Sequence, residues 1–198
     1  MQADHQTSDR IAELLIHIGR LARSAGSGSA LTAAQWTCLR FFARANANTR
    51  TPSGFASFQA TTRGTASQIV KSLEGLGLVT RNRSDRDRRS VVFDLTGRGR
   101  AMLAQDPLGD LVEVIRDIDA ADQDHVLAIL SRLAAGLTTR RDCPAFGSCR
   151  DCSHFALSGD TAHCACMEAD LAAADIARLC ASFAPKIDPE TTTQDKPT

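Results

Sequence analysis

Apolar residues recur at helical spacing near the start of the chain. Ile11, Leu14 and Ile18 lie three or four positions apart, which predicts an amphipathic helix over about residues 8–24 with one apolar face. The segment SAGSGSA that follows has the small residues of a loop.

A second helix is predicted over about residues 33–45. Thr32 followed by Gln35 is the pattern of a capping box, in which each residue satisfies a backbone amide of the other. Cys38 lies inside this helix and is expected to be a small core residue rather than a ligand.

Two further helices joined by a tight turn are typical of a helix-turn-helix. Pro52 suits the first turn of a short helix, and Gly77 is suited to end the longer helix in a left-handed conformation. The longer helix is predicted to bury four apolar residues: Ala66, Ile69, Leu73 and Leu76. Its opposite face carries polar and basic residues: Arg63, Thr65, Ser67, Gln68, Lys71 and Ser72.

A hairpin with a basic tip follows directly. Leu78 and Val79 open one strand and Val91–Leu95 forms the next, with the run RNRSDRDRRS between them. The tip carries both signs of charge: Arg86, Arg88 and Arg89 with Asp85 and Asp87. Guanidinium groups on such a tip suit the narrow minor groove of DNA, although an ordinary charged hairpin is the alternative.

More helices are predicted after the hairpin. Thr96 begins one, Pro107 interrupts or kinks it, and apolar residues at helical spacing continue to Leu137. The helices at both ends of the chain present more apolar surface than a body of this size buries, so we expect a homodimer.

Charge and composition narrow the class of protein. The 198 residues are 43% hydrophobic and carry 23 basic and 23 acidic side chains. Residues 50–100 hold ten of the basic and only four of the acidic side chains, an imbalance that is typical of a nucleic-acid-binding surface.

No apolar run suits export or a membrane span, so a cytoplasmic protein is expected. No nucleotide-binding glycine-rich loop, catalytic triad or carboxylate pair stands out, so no catalytic residue and no enzyme activity are predicted.

The order of elements from about Ser8 to Leu137 resembles the MarR family of winged-helix transcription regulators. The likeness lies in three blocks: LTAAQWTCLRFF, TTRGTASQIVKSLEGLGLVTR and SDRDRRSVVFDLTGRGRAML. The resemblance implies a homodimer that binds a double-stranded DNA operator, usually as a repressor. Carried over by position, it implies base or phosphate contacts for Arg63, Thr65, Ser67 and Gln68, and a wing ordered by Asp87 with Arg89. Lys71, Arg86 and Arg88 are added as DNA contacts because of their charge.

Six of the seven cysteines crowd together after this region: Cys143, Cys149, Cys152, Cys164, Cys166 and Cys180. In a reducing compartment, clustered thiols bind metal or do redox chemistry more often than they form disulfides. Gly147 is expected to allow a tight turn before the CxxC knuckle, and Cys180 to lie on a short helix beginning near Asp170. The predicted metal ligands are Cys149, Cys152, Cys164 and Cys180, with Cys166, His154 and His163 as alternates. Cys143 is expected to be a spare thiol.

Two cofactors compete for these thiols. The segment FGSCRDCSHF resembles the tail of a subset of MarR-like proteins, which implies an iron-sulfur cluster, either [2Fe–2S] or [4Fe–4S]. Structural zinc also takes four thiolates, although it commonly uses two CxxC knuckles and this chain has one. If the cysteine lobe packs on the dimer helices, cluster loss could alter the spacing of two recognition helices.

The sequence thus predicts a mainly α (α+β) fold, a winged helix-turn-helix with long dimerisation helices and a small metal-binding lobe. The predicted divisions are a dimerisation helix and loop (8–30), the winged helix-turn-helix (31–100), further dimerisation helices (101–141), the cysteine-rich lobe (142–184) and a disordered tail (185–198). The expected function is a regulator, a repressor, whose cluster senses iron, oxygen or redox state; a MarR-like regulator with structural zinc is the alternative.

Overall fold

The chain forms a winged helix flanked by long helices and followed by a small lobe. The computed structural model describes residues 2–23, 29–83, 91–159 and 161–186. Up to the end of the long helices, the elements are α1 Gln2–Leu21, α2 Ala33–Arg44, α3 Pro52–Phe58, α4 Arg63–Gly75, β1 Val79–Arg83, β2 Val91–Leu95, α5 Gly97–Leu103, α6 Leu108–Arg116 and α7 Ala120–Arg141. The lobe contains β3 Phe155–Ser158, β4 Thr161–Cys164, β5 Ala169–Leu171 and α8 Ala173–Ile176.

Local signals set the helix starts as predicted. The Thr32 hydroxyl accepts the Gln35 amide at 3.3 Å, and the Gln35 side chain accepts the Thr32 amide at 2.8 Å, so the capping box is present. The helix that begins after Thr96 ends at Leu103, before Pro107, as expected.

The core lies between α2, α3, α4 and the base of the hairpin. Aromatic rings dominate it; the Phe41 and Phe55 ring centroids are 5.6 Å apart, and those of Phe42 and Phe93 are also 5.6 Å apart. Cys38 is fully buried within this core, and burial raises the pKa of its thiol. Its predicted role as a core residue is confirmed.

The buried face of α4 is rotated from the prediction. Ala66, Val70 and Leu73 are buried, whereas Leu76 is 38% exposed. The helix ends at Gly75, so Leu76 is the C-cap and no longer follows the helical spacing of the buried face. Gly77 has φ +68°, the left-handed conformation expected of it.

The hairpin is a two-stranded antiparallel sheet in which Val79 pairs with Leu95 and Arg83 with Val91. The predicted tip residues Arg86, Asp87, Arg88 and Arg89 lie outside the described residues.

The long helices present apolar side chains to the surface. Neither α6 nor α7 contains a buried residue in this monomer, and α1 also exposes its apolar face. The exposed large apolar residues on these helices include Ile11, Leu14, Ile16, Ile18, Leu21, Val114, Ile115, Val126, Leu127, Ile129, Leu130, Leu133 and Leu137. In the part of the chain that the structure describes, no helix combines the length and apolarity needed to cross a bilayer.

The lobe contains an antiparallel sheet in the order β3-β4-β5, whose strands are not among the elements predicted from the sequence. Phe155 pairs with Cys164, and Cys164 pairs in turn with Ala169. The sheet therefore fixes the backbone position of one of the predicted ligands.

Replacing Leu73 by Ala should lower the free energy of unfolding by about 2–5 kcal/mol, because this fully buried side chain leaves a cavity in the core. Urea denaturation followed by circular dichroism measures the change. Leu157→Ala is the control, since Leu157 is 68% exposed, and it should change stability by less than about 0.5 kcal/mol. Equal losses for the two variants would contradict this position of the core.

Candidate functional site

The polar face of α4 is exposed along its length. Arg63, Ser67, Gln68 and Lys71 are all exposed, whereas Ala66 is buried. The predicted DNA-contacting residues of α4 are therefore accessible to a partner.

The hydroxyl of Thr65 already has a local partner. It lies 2.9 Å from the hydroxyl of Thr62, the N-cap residue of α4, and the Thr65 amide donates to that same Thr62 hydroxyl at 3.2 Å. Thr65 is exposed and also belongs to the cap that starts the helix.

A cleft of about 300 Å³ separates α4 from the hairpin. Gln68 and Lys71 line its helical side, and Arg81 and Val91 line its strand side. Arg81 is not among the contacts predicted from the sequence, because only the folded hairpin brings β1 beside Lys71.

The base of the hairpin is held by the connection between α2 and α3. The Phe93 amide donates to the carbonyl of Arg50 at 2.8 Å, and the Arg50 guanidinium forms an ion pair with Asp94. Asp94 also accepts a hydrogen bond from the Asn82 side chain at 2.7 Å. The orientation of both hairpin strands therefore depends on Arg50.

The four first-choice ligands are the buried thiols of the lobe. Cys149, Cys152, Cys164 and Cys180 are each 5–7% exposed, whereas Cys143 and Cys166 are exposed. All seven cysteines are free thiols. Because Cys164 is buried and Cys166 is exposed, burial distinguishes the first-choice ligand Cys164 from its predicted alternate, Cys166.

Three parts of the lobe contribute these thiols. Cys149 begins a short 3₁₀ turn, and the Cys152 amide donates to the Cys149 carbonyl at 3.1 Å, which closes the knuckle. Cys164 ends β4. Cys180 lies in an extended segment after α8, and its amide donates to the Gly147 carbonyl at 3.0 Å. The prediction that Cys180 lies on a helix is wrong, because α8 ends at Ile176.

The other buried thiols affect the ionisation of Cys149. Burial, and then the proximity of Cys180, Cys164, Cys152 and Asp175, raises the pKa of Cys149 to about 11. Without a cation, this environment favours the protonated thiol, so a metal would have to displace a proton to bind.

The thiols are gathered without forming a preorganised metal cage. Among the described residues, no three His, Cys, Asp or Glu side chains are arranged to hold a metal ion. The number, type and burial of the thiols nevertheless fit a four-thiolate centre.

Gly147 is required by packing and not by a turn. A Cβ atom there would lie 2.6 Å from the Phe183 ring, and Gly147 does not have a positive φ. The segment after Cys180 also supplies a backbone amide to the site, because the Ala184 N–H donates to the Cys152 sulfur at 3.5 Å. This amide donor therefore comes from the segment after Cys180.

The histidine alternates have other surroundings. His163 Nδ1 lies 3.0 Å from an Asp170 carboxylate oxygen. His163 also lies between the buried Ala162 and Cys164 on β4, so its side chain points to the opposite face of the strand. His154 is half-buried, and its carbonyl accepts the Ala165 amide at 2.9 Å.

The lobe docks on the winged helix. The Leu179 amide donates to the Arg44 carbonyl at 2.8 Å, and the Asn46 amide donates to the Leu179 carbonyl at 2.9 Å. Phe146 adds an edge-on contact to Phe58 with a centroid distance of 5.3 Å. No motif in the sequence signals this docking.

Comparison with known proteins agrees with this architecture. Residues 31–90 match the family model of the MarR family. A MarR/EmrR family transcriptional regulator from Acinetobacter sp. ADP1 superposes with a TM-score of 0.54 at 15% identity, covering 70% of this chain and 99% of that chain. CouR from Rhodococcus jostii RHA1, solved bound to p-coumaroyl-CoA, gives 0.51 at 20% identity, covering 64% and 92%. A MarR family protein from Bacillus stearothermophilus gives 0.50 at 19% identity, covering 68% and 97%.

At these identities the solved structures establish the shared fold alone. A search of curated protein sequences finds no match. The chain is therefore similar to the MarR family over residues 31–90 and shares the overall fold of these solved structures.

Thiol alkylation of the native, metal-free chain should modify Cys143 and Cys166 first, because these two side chains are exposed. Cys38 and the four buried lobe thiols should react only after denaturation. Mass spectrometry of digested protein after brief treatment with iodoacetamide measures the order. Modification of Cys164 as fast as Cys166 would contradict the burial that separates them.

Proposed function

We propose that this chain, whose residues 31–90 match the MarR family, is a homodimeric DNA-binding repressor controlled by an iron-sulfur cluster in its C-terminal lobe. The observation that carries the proposal is the set of four buried thiols in a lobe hydrogen-bonded to the winged helix.

The exposed face of α4 would supply the DNA contacts. Its polar side chains are free of the core, and Lys71 lies across a cleft from Arg81 on the first hairpin strand. A helix of this kind fits the major groove, where Gln can read adenine and Arg can read guanine. Arg86, Arg88 and Arg89 remain predicted minor-groove or phosphate contacts, and Asp87 a predicted wing-ordering residue.

A second copy of the chain would cover the exposed apolar faces of α1, α6 and α7. Large exposed apolar patches mark interaction surfaces, and a two-fold dimer would pair these faces with the same faces of the second copy. A dimer also places two copies of α4 on successive turns of a pseudo-palindromic operator.

Cys149, Cys152, Cys164 and Cys180 would hold the metal centre. A bound iron-sulfur cluster would make the state of the lobe depend on iron, oxygen or redox conditions. The chain contributes buried thiols and a backbone amide that donates to the Cys152 sulfur. All seven cysteines are free, so no disulfide stabilises the lobe in place of a metal. The uneven spacing, with one CxxC knuckle and two more distant cysteines, suits an iron-sulfur cluster at least as well as structural zinc, which commonly uses two CxxC knuckles.

Gln68→Ala should weaken operator binding by about 1–3 kcal/mol and relax discrimination at one base pair, since a side-chain contact to a base edge is lost. Lys71→Ala should instead weaken binding to all sequences and lower the slope of log affinity against log salt by about one. Fluorescence anisotropy against an operator selected from random duplexes measures both effects. Arg132→Ala is the control, because Arg132 is exposed on α7, away from the proposed DNA surface. A Gln68→Ala variant with unchanged affinity and specificity would remove this residue from the interface.

Protein purified without oxygen should be brown and contain iron and sulfide, and Cys149→Ser or Cys152→Ser should remove the colour and change operator affinity. Visible absorption, elemental analysis and operator titration measure these effects. Cys143→Ser is the matched control and should retain the colour, because this thiol is exposed. A colourless protein with one zinc per chain would support the structural-zinc alternative. Serine variants that leave both metal content and DNA affinity unchanged would overturn the proposed site.

A further inference from the structure

Cys180 differs from the other buried thiols in its neighbours along the chain. Leu179 on one side exchanges backbone hydrogen bonds with Arg44 and Asn46. Ala181 on the other side donates its amide to the Thr49 hydroxyl at 2.9 Å. In the described structure, the hydrogen bonds of the residues flanking Cys149, Cys152 and Cys164 stay within the lobe.

The residues that receive these bonds are themselves buried. Thr49 is 2% exposed, and its amide donates at 2.9 Å to the side chain of Asn46, which is also buried. Leu179 packs against the hydrophobic core. A shift of the Cys180 backbone therefore cannot be absorbed by solvent and must displace the segment 44–49 or break its hydrogen bonds.

The same segment positions the DNA-binding elements. Arg50 follows Thr49 directly and holds the hairpin through Phe93 and Asp94. Thr51 is the N-cap of α3, and a Cβ atom on Gly54 of that helix would lie 2.3 Å from the Thr49 carbonyl oxygen. The Thr49 backbone is thus in tight contact with the first helix of the helix-turn-helix and adjoins the residue that orients the hairpin.

We propose that Cys180 is the residue through which the metal centre controls DNA binding, by setting the position of Leu179–Ala181 against residues 44–51 and hence of α3 and the hairpin. This inference rests on the proposed metal centre and specifies its regulation. The structural change is transmitted from the lobe to the winged helix of the same subunit. It does not require the lobe to pack on the dimer helices, and the hydrogen bonds that dock the lobe go to the winged helix.

Thr49→Val tests the route because it removes the hydroxyl that accepts the Ala181 amide and nearly preserves side-chain shape. Thr139→Val is the matched control, since its hydroxyl bonds only within α7, to the Ala135 carbonyl. Each full-length variant is prepared with iron and sulfide reconstituted anaerobically, and again after stripping with a chelator. Its affinity for the operator selected by the unmodified chain is then measured in both states.

In the unmodified chain, the ratio of the two affinities should be about 5- to 150-fold, the usual size of coupling between sites. Thr49→Val should reduce that ratio by about 2- to 10-fold, as expected for loss of one hydrogen bond, with visible absorption unchanged. Thr139→Val should leave the ratio as it is. An unchanged ratio in Thr49→Val would overturn the inference and leave the proposed metal centre intact.

Hydrogen exchange of the unmodified chain provides a readout that needs neither DNA nor a variant. Stripping should increase amide exchange in residues 44–51 and 91–95 more than in residues 125–141 of α7. The opposite pattern, with changes confined to α7, would overturn the inference even if Thr49→Val fails to fold. A chain that takes up neither iron nor zinc would overturn the proposed metal centre, and this inference with it.

Discussion

The connection between α2 and α3 is the structural constraint on which the rest of the molecule depends. Thr49 and Arg50 are adjacent, yet Thr49 accepts a hydrogen bond from the lobe and Arg50 holds the hairpin. Gly54 has no room for a side chain against the Thr49 carbonyl, so α3 is fixed to the same backbone. Because interiors are close-packed, elements attached to one buried segment do not move independently.

The cysteine site adds a second constraint, of electrostatic origin. Burial, and then the proximity of Cys180, Cys164 and Cys152, raises the pKa of the Cys149 thiol, so this thiol resists deprotonation. A cation reverses this preference, because it is attracted to the thiolates that otherwise repel each other. Metal binding and the final spacing of the thiols are therefore expected to be linked, and the free energy of binding becomes available to organise the lobe.

Features encoded by neighbouring residues were predictable. The capping box of Thr32 and Gln35, the left-handed Gly77 and the break at Pro107 depend on a few adjacent positions, and each appears as expected. Predictions that required the end of an element to be known were less successful. Leu76 was assigned to the buried face and Cys180 to a helix, because apolar spacing continues past the residues at which α4 and α8 end.

The order of the winged-helix elements, the polar face of α4 and the cysteine type of the candidate metal site follow from local sequence patterns. Packing between distant segments is what buries Cys164 and not Cys166, places Gly147 beside Phe183 and docks the lobe on the winged helix. The physical reason is sequence separation: the hydrogen bond from Ala181 to Thr49 joins positions 132 residues apart. Periodicity and motif spacing describe a chain over a few turns, whereas such a contact exists only once two separately folded regions pack together.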